Sequence, residues 1–211
     1  MTLDALGGLA VILRHQAKLE GAAQAAQRSI SGREKVIGKD HPWTLPPVSH
    51  YGYIKTLQGQ KSAGEKIIRT ALAGLESTLG KVHPNVLTSV MFLSKNLAQQ
   101  DDASKHEESE ALARRALDAR TRVLGPDHPY TYKTMYHVAN VLFNRKKYEE
   151  AETTCRKALD GLQKTLGTEH PDVINCERDY AKIIDQMALY GHSGTELVDE
   201  AIVIDLAEKG N

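Results

Sequence analysis

The dipeptide His-Pro occurs four times, each three residues after a glycine: Gly38-Lys-Asp-His41-Pro42, Gly80-Lys-Val-His83-Pro84, Gly125-Pro-Asp-His128-Pro129 and Gly167-Thr-Glu-His170-Pro171. Successive histidines are 42, 45 and 42 residues apart. A fixed interval of this length marks a repeat array. One such unit cannot bury its apolar face alone, so neighbours stack into a solenoid with an extended concave surface.

Two further signals run in phase with the first. A large residue beside a small one recurs after each His-Pro, at Tyr51-Gly52, Leu93-Ser94, Val138-Ala139 and Tyr180-Ala181, and also at Leu9-Ala10. Close helix packing requires this, because the small residue admits a neighbouring helix and the large one fills the remaining space. A second helical stretch then follows in each unit. In its clearest copy Ala151, Cys155, Ala158, Leu159, Leu162 and Leu166 keep helical spacing. The glycines fit a left-handed residue closing that helix, and the following proline fits the start of the next. Pro46-Pro47 predicts that the first helix of unit two begins near those prolines and runs to about Gln58, since prolines inside a helix starting at Pro42 would break it. The 45-residue interval places a turn three residues longer at Asp101–His106. No sustained strand alternation occurs. The chain reads as ten helices in five pairs.

The run Leu-Gly-x-x-His-Pro, then a Thr-Leu-like pair, then Leu-Ala, then Tyr148-Glu-Glu-Ala-Glu and Arg156-Lys-Ala-Leu resembles the 42-residue tetratricopeptide repeats of kinesin light chain. It is also similar to the repeat tails of nucleotide-dependent signalling ATPases. The resemblance covers essentially the whole chain and is strongest over residues 107–175. It implies an all-α fold, a right-handed α-solenoid of about five helix pairs, with peptide recognition in the groove made by the first helix of each pair. The expected units are residues 1–40, 41–82, 83–127, 128–169 and 170–211, forming a single repeat domain. Neither the heptad coiled coil that binds the kinesin heavy chain nor a phosphate-binding Gly-x-x-x-x-Gly-Lys-Ser/Thr has a counterpart here.

Composition narrows the partners. The 27 basic and 27 acidic residues give a formal net charge of zero, which argues against nucleic acid or an anionic membrane as the main partner. No apolar run is long enough to span a bilayer, and the start lacks the basic head and cleavage site of a signal peptide. Two cysteines, Cys155 and Cys176, do not make a disulfide framework. A cytoplasmic protein is expected, with Cys155 a buried free thiol on an apolar helix face. The first helix is apolar with no polar cap before it. In the last unit Gly191-His-Ser-Gly194 replaces the acidic helix start, and Thr195–Lys209 carries Leu197, Val198, Ala201, Ile202, Ile204 and Leu206. The ends are therefore candidates for homo-oligomer contacts, for a junction within a longer array, or, at the last helix, for a cap.

The His-Pro histidines do not form a metal site, because residues one repeat apart cannot share a ligand shell of ~2 Å bonds. No metal or cofactor is called for, and no Gly-x-Ser-x-Gly, Cys-x-x-Cys or His-Glu-x-x-His motif points to catalysis. Trp43 is expected to pack over its helix junction, and Tyr148 to pack in a turn.

The resemblance places inward residues of each first helix two and one before the Leu-Ala pair and one, four and five after it. The face so defined carries Arg14, His50, Tyr53, Phe92, Lys95, Tyr136, His137, Asn140, Asn144 and Lys182. In a binding reading, Lys95, Asn140 and Lys182 hold a peptide backbone and its acidic groups, while Tyr53, Phe92 and Tyr136 form apolar pockets. In a catalytic reading, His50, Tyr53, Lys95, Tyr136 and His137 move protons for a small-molecule enzyme of isomerase or condensation/cyclisation type. A solvated groove without ligand-specific geometry is the third reading.

Overall fold

The computed structural model describes residues 2–189 and consists, among those residues, of nine α-helices without a strand. Helix α1 (Leu3–His15) pairs with α2 (Leu19–Ile37), α3 (Leu45–Leu57) with α4 (Lys61–Leu79), α5 (Pro84–Leu97) with α6 (Ala103–Leu124), and α7 (Pro129–Asn144) with α8 (Tyr148–Leu166). Helix α9 (Pro171–Leu189) opens the fifth unit. The expected tenth helix, Thr195–Lys209, and the stretch Gly191–Gly194 lie outside the described residues. This is the all-α repeat solenoid predicted from the 42-residue interval.

The His-Pro junctions work as caps. The Nδ1 atoms of His41, His83, His128 and His170 accept the backbone N–H two residues on, at 3.2, 3.2, 3.2 and 3.1 Å. For His83 and His128 this is side-chain N-capping, with proline in the first turn where its missing donor costs nothing. The recurrence of the histidines is therefore structural, and the described residues contain no cluster of metal ligands. In unit two the turn Pro42–Thr44 precedes the helix, which starts at Leu45 with Pro46 in its first turn and is capped at Gln58. Leu45 enters the core, while Trp43 is 64% exposed. The expectation that Trp43 packs over the junction is thus corrected, because the turn spends the core position on Leu45.

The closing glycines adopt φ of +93°, +77°, +92° and +81° with ψ near 160°. This is an extended positive-φ conformation essentially reserved for glycine, rather than the left-handed helical one expected. The left-handed helical role falls to the hairpin turns, at Ala17, Gly59 and Lys146. Unit three lacks such a residue. There the insertion is largely helix: α6 has 22 residues against 19 in α4 and α8, and its first turn is capped by Asp102, whose carboxylate accepts the Ser104 N–H at 2.9 Å.

The small residues do what close packing demands. Ala10, Gly52, Ser94 and Ala139 are all buried. On the second helices a Glu–Arg pair four residues apart recurs at Glu65–Arg69, Glu110–Arg114 and Glu152–Arg156. Arg69 and Arg114 also reach Glu108 and Glu150 of the following unit. Exposed pairs of this kind contribute only about 0–1 kcal/mol each. Glu110 is different: it is buried and held by Arg114, Arg145 and Lys147. Burial opposes its ionisation, but these hydrogen bonds outweigh it and hold the carboxyl at about 2.

Candidate functional site

The first helices gather five of the expected residues into one cluster. Phe92 on α5 stacks on Tyr53 of α3, ring centroids 4.9 Å apart and 12° from parallel, and lies 5.6 Å from the His50 ring. Arg14 of α1 and Lys95 of α5 lie over Tyr53, at 5.7 and 5.9 Å from its centroid. Arg14 Nε donates to His50 Nε2 at 3.0 Å, so His50 is an acceptor at that atom. The result is an aromatic platform flanked by two cations, built from three successive units.

Burial governs the charges. Desolvation lowers the Lys95 ammonium to about 8, reinforced by the repulsion of Arg14 and Arg120 and only partly offset by Asp172. Lys95 is therefore not the freely solvated lysine that its groove position implied. Desolvation likewise lowers Arg14 and Arg120. Arg120 of α6 donates to Thr134 Oγ1 at 2.6 Å and faces the Tyr130 ring at 5.8 Å. Among the described residues, Arg14, Lys95 and Arg120 have no carboxylate at ion-pair distance, whereas Arg69 and Arg114 on the second helices and Arg145 at the end of α7 are all matched.

Burial and then Arg14 lower the His15 ring at the end of α1, with smaller contributions from Asp172 at the start of α9 and Lys133 of α7. Lys133 is itself paired with Asp172 at 2.5 Å. Between the starts of α5 and α7 a cleft of about 370 Å³ opens, lined by Pro84, Leu87, Thr88, Arg120, Val123 and Tyr130 among others.

The remaining expected residues separate from this cluster. His137 is buried, with Nε2 at 2.8 Å from Ser94 Oγ, which also bonds the Ser109 carbonyl at 2.9 Å. It is as buried as His50, but its partners are the hydroxyls at the α5–α6 contact rather than the Tyr53 cluster. Tyr136 donates to the Asp179 carboxylate and to the Asn175 carbonyl at 3.2 Å. Burial, with the Asp179 bond, pushes its hydroxyl well up, away from proton transfer near neutrality. Asn140 is half-buried four residues further along the same helix. Lys182 is exposed but paired with Asp179 at 2.9 Å, and Asn144 is exposed beside Arg145. The proton-moving set of His50, Tyr53, Lys95, Tyr136 and His137 is thus split, with only the first three side by side. Lys133 and Arg120 were missed. Lys133 sits five residues before Val138, one turn further along the same helical face, so extending the period finds it. Arg120 comes from a second helix, which a first-helix period cannot register.

The histidines make acid lability a direct expectation. Burial, then Arg14, lowers His50 to about 4, and burial lowers His137 well below its usual value. The unfolded chain takes up these protons near pH 6.5 and the folded chain does not, so stability falls as pH drops below about 6.5. The His50 loss levels off near pH 4. His50 accounts for about 1–3 kcal/mol by that point, and His137 adds a loss of the same sign. Glu65 and Glu110, held at about 2, add a separate loss from about pH 4.5 downward. Thermal midpoints measured against pH will show both limbs, and His50→Gln with His137→Gln will flatten only the upper one.

A tetratricopeptide repeat pattern matches residues 130–188, and a second form of it matches residues 2–42 and 102–130. Together they cover more than half of the chain. No curated protein sequence matches significantly. Among solved structures, the nearly identical TPR-like repeats of a proposed kinesin light chain from Podosopora anserina superpose with TM-score 0.71 at 18% identity, over 99% of this chain and 97% of that one. A singly substituted form of the same repeats gives TM-score 0.70 at 18% identity, with the same coverage of both chains. BtubC (BKLC) from P. vanneervenii gives TM-score 0.71 at 16% identity, over 99% of this chain and 81% of that one.

Proposed function

Because the chain belongs to the tetratricopeptide repeat family, a scaffold for protein interaction, we propose that its concave groove binds an acidic, extended peptide segment of a partner protein. The observation that carries this reading is the unmatched charge of Arg14, Lys95 and Arg120. Cations taken partly out of water are costly unless an anion answers them, and no described carboxylate lies at ion-pair distance from these three, Asp172 being paired with Lys133 and acting on Lys95 only from further away. Peptide carboxylates would answer Arg14, Lys95 and Arg120, while an apolar side chain lies against Phe92 and Tyr53 or enters the cleft beside Tyr130. Lys182 contributes less, since Asp179 already occupies it. No helix of the described residues is long and apolar enough to cross a membrane.

Selection of random dodecapeptides displayed on phage tests the reading. Enriched sequences will be acidic, and their affinity will fall with added salt. Arg14→Ala with Lys95→Ala will abolish measurable binding without unfolding the protein. Affinity will also decline above about pH 8 as Lys95 loses its proton, and Lys95→Arg will restore it. Enrichment of neutral or basic sequences that survive the double substitution would refute the groove assignment.

A further inference from the structure

The chain has two cysteines, and the fold brings both to one point. Cys155 on α8 and Cys176 on α9 are fully buried with their sulfurs 3.8 Å apart. Each sulfur also lies 4.0 Å from the other residue's carbonyl oxygen, so the two helices approach closely at this crossing. A disulfide bond is ~2.05 Å long, which leaves about 1.8 Å to close by side-chain rotation and a small helix shift.

The repeat register shows that this crossing does not require sulfur. One unit earlier, 42 residues upstream, the same two positions are Ala113 and Thr134. The unit before that has Ile68 and Ser89, and all four residues are buried. Those two crossings place an apolar residue and a small hydroxyl residue at these positions, and the α2–α3 crossing has Ala26 and Pro47. Only at the α8–α9 crossing do both positions carry thiols.

We propose that Cys155 and Cys176 are a disulfide-forming pair that locks α9 onto the fourth unit under oxidising conditions. In the closed structure the pair is protected. Hydrogen bonding with Cys155, together with burial, pushes the Cys176 thiol up, so thiolate forms when α9 opens locally. One thiolate then attacks a small disulfide such as oxidised glutathione, releasing one glutathione thiolate. The second cysteine attacks the protein sulfur of the mixed disulfide and releases the other. Two thiol protons and two electrons pass to the two glutathione molecules, and one S–S bond forms in the protein. The lock matters beyond the crossing, because α9 carries Asp172 and Asp179, which hold Lys133 and Tyr136.

The test uses the full reduced chain incubated with oxidised glutathione at about pH 8. Intact mass will fall by two hydrogens, peptide mapping will join Cys155 to Cys176, and dithiothreitol will reverse both. The thermal midpoint will rise by about 5 °C or more, as expected for a loop of this size. Cys155→Ala with Cys176→Thr, the residues used one unit earlier, will fold with no oxidant-dependent shift. Glutathione adducts without closure, an unreactive pair, or a linked form with an unchanged or lower midpoint would each overturn the proposal.

Discussion

Gly64→Ala will destabilise the protein by about 3 kcal/mol, at the upper end of ordinary overpacking costs. A Cβ at Gly64 would stand 2.5 Å from Thr56 Oγ1, 2.6 Å from the Gly52 carbonyl oxygen and 3.0 Å from the Thr56 nitrogen. Two of these are backbone atoms of α3, which cannot rotate away, so α3 and α4 must separate. The gain of roughly 1 kcal/mol from alanine's helix propensity does not offset that. The damage will spread, because Thr56 Oγ1 also accepts from Asn96 of α5 at 2.7 Å. Gly8→Ala is the control: nothing lies within 4 Å of its Cβ position, and it should gain about 0.5–1 kcal/mol. Urea midpoints of the two variants will move in opposite directions. A Gly64→Ala protein as stable as the parent would mean that α3 and α4 do not meet at this contact.

Leu162→Ala will cost about 2–5 kcal/mol, the range for opening a cavity in a packed core. Leu162 is fully buried in the cluster formed by α7, α8 and α9. The helical pattern also singled out Leu159, yet that side chain is only half-buried at the edge of the cluster. Leu159→Ala should therefore cost clearly less, and denaturant midpoints will rank the two. Because units rely on their neighbours' interfaces, the Leu162 variant should weaken more than its own unit.

The sequence made some features legible because each local rule repeats. His-Pro and the closing glycine mark a junction that every unit must build, and the large–small pair marks the crossing. The groove face was what the family resemblance implied, and of its residues Arg14, His50, Tyr53, Phe92 and Lys95 converge. What the period could not supply is the identity of each neighbour. His50 and His137 occupy equivalent positions, and both reach back to the first helix of the preceding unit. One finds Arg14 there and the other finds Ser94, so two equally buried rings meet a cation in one unit and a hydroxyl in the other. Lys95 packs beside Tyr53, but its lowered pKa reflects burial together with charges contributed by α1, α6 and α9. The Arg120 contribution crosses from a second helix and leaves no trace in first-helix spacing.

The central claim is that the unmatched cations of the concave face, rather than the ends or the ladder of the second helices, receive the partner. It is tested most directly by mapping amide shifts in isotope-labelled protein while a phage-selected acidic peptide is titrated in. The account predicts that the largest changes fall on α1, α3, α5 and the start of α7, around Arg14, Tyr53, Phe92, Lys95 and Tyr130, and vanish in the Arg14→Ala, Lys95→Ala protein. Changes confined to the Glu–Arg ladder of α4, α6 and α8, and unaffected by that double substitution, would contradict it.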